Sequence, residues 1–135
     1  MFKLHPTLEK DSLPIAEVDG LAIRLIDDAR FPWVLIVPMV EDVSELHDLP
    51  DDTYRAAMDM ARRLGEGMKS AFGADKINTA AIGNMVAQLH IHVVARTRDD
   101  AAWPGPVWGA GEMVPLDPDE AARRIDAFRA ALAAP

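Results

Sequence analysis

Cysteine is absent from this sequence of 135 residues, so no disulfide framework, thiolate metal site or cysteine nucleophile is available. Histidine, carboxylate and hydroxyl chemistry remain. Long apolar runs are missing too, because no stretch approaches the roughly 18 uninterrupted apolar residues of a membrane-spanning helix. The start, Met1-Phe2-Lys3-Leu4-His5-Pro6, lacks the basic, apolar and small-residue regions of a secretory signal. A cytoplasmic protein with no membrane partner is therefore expected. Clusters of Lys and Arg are also wanting: 22 acidic residues stand against 14 basic ones, for a net charge of −8. Long nucleic acid is excluded as a partner, since neutralising its phosphates needs such clusters. A small phosphorylated ligand is not, because backbone N–H groups and a few donors in one pocket can outweigh a distant net charge. There is no repeat and no low-complexity linker. A single domain over residues 1–135 is expected, long enough to enclose a core.

What is present reads as short periodic segments. Pro14 to Val18 and Leu21 to Ile26 flank Asp19-Gly20, a dipeptide suited to the positive φ angles of a tight hairpin. Trp33 to Val40 is almost wholly apolar and β-branched, as a central strand should be, with Pro38 marking a bulge, an edge or an early end. From Asp51 to Phe72, Tyr54, Ala57, Met58, Ala61, Leu64, Met68 and Phe72 recur at helical spacing, and Gly73 follows as a C-cap. Lys76 to Ile82 and Leu89 to Ala95 return as strands. Asp117-Pro118-Asp119-Glu120 then starts a second helix, which buries Ala122, Ile125, Phe128 and Leu132. This order predicts an α+β fold: a mainly antiparallel sheet of about five strands, one long helix between strands and a C-terminal helix.

The chemistry concentrates in Gln88-Leu89-His90-Ile91-His92-Val93-Val94. On a strand, Gln88, His90 and His92 share one face and the apolar residues the other. Three hydrogen-bonding side chains are costly to bury without partners, so that face should open into a polar cavity. Three explanations compete. Both rings could serve only as hydrogen-bonded structural residues. They could supply two zinc ligands, although a third would have to come from His5, His47 or a distant carboxylate. Or a neutral imidazole could attack phosphorus while a neighbouring donor stabilises the oxygens.

Gly83 to Arg96, GNMVAQLHIHVVAR, resembles the signature of the histidine triad family, in which a turn glycine precedes a His-x-His-x-His strand. The match needs no gap. It implies that Gly83 is the turn glycine, Asn84 touches phosphate, His90 is the nucleophile and His92 is the third histidine, while Gln88 takes the place of the first. Asn78 is similar to the asparagine that ends the preceding strand. Ile26-Asp27-Asp28, ahead of Pro32 to Pro38, resembles the ribose-binding segment. Asp27 or Asp28 would then hold the ribose and Ile26 would line the base pocket. Trp33 stands where many relatives carry another histidine. Gln88 can neither carry the proton nor the charge of the histidine it replaces, and is expected to orient the phosphoryl group or its leaving atom.

The resemblance implies a nucleotidyl hydrolase or transferase acting on a small nucleoside phosphate, phosphoramidate or dinucleoside polyphosphate through a nucleotidyl-histidine intermediate. No metal and no cofactor are called for. The alternative is a nucleotide-binding module with little turnover, because losing the first histidine could spare binding while slowing leaving-group protonation. A homodimer is implied as well. His90 is expected to keep its lone pair because a protonated His92 beside it disfavours a second charge. The resemblance ends near residue 98. Beyond it, the Trp103 to Gly109 loop either packs on the sheet or forms a lid. His5 and His47 are read as surface or helix-end residues, and Lys76, Arg96 and Arg98 as strand-end cations in solvent.

Overall fold

Alternating strands and a tight turn build the first half of the chain. In the computed structural model, which describes residues 1–133, β1 (Ser12–Val18) and β2 (Leu21–Ile26) form an antiparallel hairpin. Asp19 and Gly20 at its tip have φ of 52° and 75°, the positive pair that matches a two-residue turn to the strands' right-handed twist. β3 (Trp33–Pro38) pairs with β2. The long helix α2 (Asp51–Ala71) then crosses to the far edge, where β4 (Lys76–Ala80) precedes β5 (Ile91–Arg96). The result is a five-stranded sheet in the order β1-β2-β3-β5-β4, antiparallel throughout. Two helices flank this α+β arrangement in sequence, the short α1 (Pro6–Lys10) and the C-terminal α3 (Pro118–Ala133).

The two faces of the sheet have different fates. Val34 and Ile36 of β3 and Ile91, Val93 and Ala95 of β5 join Ala57, Met60, Leu64 and Met68 of α2 and Phe128 of α3 in the main core. Trp33, Leu35, Val37 and Val94 point the other way, into a second cluster with Leu8, Ile26, Phe31 and Val107. Every residue of β3 and of β5 is buried, because both strands are covered on both sides. A Cβ at Gly65 of α2 would stand 3.3 Å from the Ile77 side chain, so the missing side chain lets the helix lie close on β4. Truncating Met68, only 1% exposed, would cost about 2–5 kcal/mol through the cavity it leaves.

Several expected boundaries move. The third strand stops at Pro38 rather than Val40, since proline has no N–H with which to extend the ladder. The fourth ends at Ala80 and the fifth begins at Ile91. Leu89 and Gln88 therefore belong to the turn that feeds β5. On α2 the stripe rotates slightly: Met60 is buried, Met58 is half-buried and Tyr54 is exposed. On α3 it is Ala121, not Ala122, that packs beside Phe128, with Ile125 and Leu132 partly buried.

Candidate active site

His90 and His92 meet on the sheet face opposite α2. His92 sits in β5, while His90 lies one residue before it, and their ring centroids are 4.8 Å apart. Both are buried, at 7% and 6% exposure. His90 Nδ1 lies 2.7 Å from the Gln88 carbonyl. A carbonyl can only accept, so Nδ1 carries a hydrogen, and in the neutral ring Nε2 is then the nitrogen with the lone pair. His92 has the opposite arrangement: its Nδ1 accepts from the Trp33 indole N–H at 3.0 Å. The indole can only donate, so the hydrogen of His92 sits on Nε2. Burial, and then repulsion from the positive charge that His90 would carry if protonated, push the pKa of His92 down to about 3. His92 is thus the ring held neutral, whereas protonation had been expected there.

These rings line a cavity of about 480 Å³ together with Ile26, Arg30, Leu35, Asn84 and Trp108, a volume within the roughly 300–1,000 Å³ typical of small-molecule sites. Its rim carries the exposed side chains of Ile82, Met85 and Met113. A groove of about 460 Å³ between the C-terminal parts of α2 and α3 is lined by Leu64, Met68, Phe72 and Phe128 and contains no histidine. Chemistry therefore favours the first. Among the described residues, no three His, Asp or Glu side chains converge as a metal site would require.

The cavity wall beyond residue 98 is assembled by Arg96. Expected as a solvated cation, it is 2% exposed. Its Nε and Nη2 donate to Asp100 at 2.7 and 3.0 Å, Nη1 to Asn78 Oδ1 at 3.0 Å and Nη2 to the Gly105 carbonyl at 2.8 Å. Its guanidinium lies over Phe31 and Trp103. Burial of Asp100 works against ionisation, but hydrogen bonds from Arg96 and the loop amides prevail and hold its pKa at about 2. The loop so pinned ends in Val107 and Trp108. Trp108 packs edge-on against both Trp33 and His92, and its Nε1 is a buried donor without an acceptor among the described residues. The Trp103 to Gly109 loop is therefore both packed on the sheet and part of the cavity wall.

Asn84 and Ile26 line the cavity, and Asp27, Asp28 and Asn78 do not. Asp28 is fully buried and accepts from the Arg30 backbone N–H, Nε and Nη2 at 3.0, 3.1 and 2.9 Å. Arg30 in turn donates to the Ala110 carbonyl. The Asp27 carboxylate accepts from the Leu116 N–H at 2.8 Å. Both acids thus tie down the segment approaching α3; both oxygens of Asp28 are engaged, as is Oδ1 of Asp27. Asn78 serves Arg96. Gln88 does not line the cavity either: its amide is bound to the backbone of Lys3 and His5. His47 is exposed beside Asp48. His5 caps α1, as a helix-end residue should, and it also lines the cavity together with Thr7, Leu8 and Asp11. The sequence held only a faint signal for this, His5-Pro6 as a cap followed by proline at the first helical position.

The paired histidines on a buried strand and the antiparallel sheet that carries them define a class. The HIT domain family matches residues 7–99, and the chain belongs to it. A histidine triad protein from Marinobacter aquaeolei VT8 is 39% identical with a TM-score of 0.95, covering 98% of this chain and 96% of that one. One from Bradyrhizobium japonicum is 37% identical with a TM-score of 0.93, covering 96% and 97%. One from Sinorhizobium meliloti 1021 is 39% identical with a TM-score of 0.88, covering 93% and 96%. No curated protein matches the chain. Among the described residues no helix is long and apolar enough to cross a membrane.

Proposed function

We propose that the chain is a nucleotidyl hydrolase or transferase for a small nucleoside phosphate, phosphoramidate or dinucleoside polyphosphate. The observation that carries this reading is the opposite tautomers of the paired rings, a bare Nε2 on His90 beside an Nε2–H on His92. A nucleophile and an electrophilic donor are thus set side by side before any substrate arrives. His90 Nε2 forms a bond to phosphorus as the bond to the leaving atom breaks. The leaving atom departs with the electron pair and takes a proton from water. The phosphorylated ring is then cationic, and its Nδ1–H stays bound to the Gln88 carbonyl. His92 donates to a nonbridging oxygen, with Asn84 at the cavity wall as a second donor. Attack by water or another acceptor hydroxyl releases His90. Ile26, Leu8 and Leu35 supply an apolar surface for the nucleoside. The side chains of Gln88, Asp27, Asp28 and Asn78 have no part in these steps.

Rapid quenching with a radiolabelled dinucleoside polyphosphate, chelator present, tests the covalent step. Wild type should carry label on an acid-labile, base-stable histidine adduct, and His90→Ala should carry none and should not turn over. Sustained turnover without label, or full activity in His90→Ala, would remove the nucleophile. Loss of activity on chelation, restored by zinc, would replace the mechanism with a metal-dependent one. We also propose a homodimer, for which the outer strand β4 offers a free edge. Sedimentation at the monomer mass would reject it.

A further inference from the structure

We propose that Gln88 is a clamp that brings His5 into the site as a third substrate-facing ring. Gln88 Oε1 accepts from the His5 N–H at 2.8 Å, and its Nε2 donates to the Lys3 carbonyl at 2.8 Å. One planar amide thus pairs with a donor and an acceptor of the same backbone stretch. An imidazole carries its nitrogens on different edges of the ring and cannot make that paired contact. The clamped stretch leads directly into α1, where His5 Nδ1 accepts from the Thr7 N–H at 3.1 Å. That bond decides the tautomer: Nδ1 is bare, so Nε2 carries the hydrogen. His5 is held at its backbone by Gln88 and at its ring by the cap, and it lines the same cavity as His90 and His92.

The three rings are not gathered closely enough to share one ion among the described residues. His5 therefore meets a part of the substrate away from the phosphorus that His90 attacks. Its surroundings select the chemistry of that part. Thr7, Leu8 and Asp11 line the same cavity, and Leu8 packs in one cluster with Ile26 and Leu35. A carboxylate among apolar side chains disfavours a second phosphate and suits a neutral group. This assignment, which rests on the nucleotidyl-transfer reading for what the cavity holds, gives His5 Nε2–H an uncharged acceptor atom of the nucleoside. Gln88 then has two separate duties. Its carbonyl sets the tautomer of His90, and its side chain sets the position of His5.

The test combines ring resonances with kinetics on the full chain. Adding adenosine monophosphate to wild type should shift the side-chain resonances of both His5 and His90. In Gln88→Ala, which keeps the carbonyl that His90 uses, the His5 response should vanish and the His90 response persist. His5→Ser retains a capping oxygen while removing the ring. Each variant should raise KM about fivefold, the loss of one neutral hydrogen bond, with little change in kcat. The double variant should be no worse than either alone, because both remove the same contact. Gln88→His should also raise KM despite restoring the triad. Should the nucleotide move His90 but not His5, or should the effects of the two single variants multiply, the clamp is wrong. Should it move neither ring, the nucleotide reading fails and takes this assignment with it. Should Gln88→Ala not fold, the wild-type titration and His5→Ser still decide.

Discussion

Trp33→Phe removes the one hydrogen that sets the tautomer of His92. Trp33 and His92 are 7% and 6% exposed, and the indole donates to Nδ1 at 3.0 Å. Without it, Nδ1 becomes a buried acceptor with no partner, which costs about 1–3 kcal/mol. The smaller ring also leaves space, so the total loss of stability should reach about 2–4 kcal/mol. The consequence for chemistry is separate. His92 would be free to turn or to move its hydrogen to Nδ1, presenting a lone pair to the phosphoryl oxygen it should stabilise. A bias of about 1.4 kcal/mol corresponds to a factor of ten, so kcat should fall by up to about tenfold.

Trp33→His separates the two effects. It packs less volume than Phe, so stability should fall at least as far, but it can donate to Nδ1 and should recover most of the turnover. Two-bond nitrogen–proton couplings in the imidazoles would show the tautomers directly, and urea unfolding would give the stabilities. Refutation would be a Trp33→Phe protein in which His92 keeps its hydrogen on Nε2 and kcat is unchanged. A Trp33→His protein no more active than Trp33→Phe would equally show that ring volume, rather than the donor, is what matters.

Acid should destabilise the fold through His92, whose pKa falls from 6.5 to about 3 on folding. The unfolded chain takes up that proton first, so stability is lost as pH drops below 6.5 and levels off for this group near 3; at about pH 5 the loss should be about 2 kcal/mol by urea unfolding. His92→Ala should abolish that slope, and an unchanged slope would show that His92 is not buried neutral. Asp28→Asn should cost about 3 kcal/mol of stability, because it strips a buried partner from Arg30. If it instead weakens nucleotide affinity with stability intact, Asp28 is a ribose ligand after all.

The fold was largely legible because its signals are local. The positive-φ turn at Asp19-Gly20, the stripe of α2 and the proline-started α3 each depend on residues a few positions apart. Errors arose where long-range packing decides. On α2, Met60 replaced Met58 in the core and Tyr54 was left exposed, since which edge of a broad apolar stripe faces the sheet depends on the strands beneath it. The short α1 went unseen, being five residues long and stabilised by a cap and by Leu8 in the second cluster. Its sequence has no periodic pattern to read.

The site was legible only in its strand. Period two correctly placed His90 and His92 on one face, but it could not say what their Nδ1 atoms would bind, and those partners decide the chemistry. One is the carbonyl of Gln88 and the other is Trp33, 59 positions away. The same blindness explains the acids. Asp27 and Asp28 look like free acceptors in a turn until Arg30 and the backbone of Val114 and Leu116 close on them. Arg96 is the mirror case: a strand-end cation becomes a buried, fully bound charge once Asn78, Asp100 and Gly105 surround it. A polar residue in a sequence announces unfilled hydrogen-bonding capacity and says nothing of where that capacity is met. On the proposed reading, a residue can reach a substrate only if its capacity is not wholly met by the fold. Under the proposed function that criterion retains the Nε2 edges of His90, His92 and His5 and removes the carboxylate of Asp28.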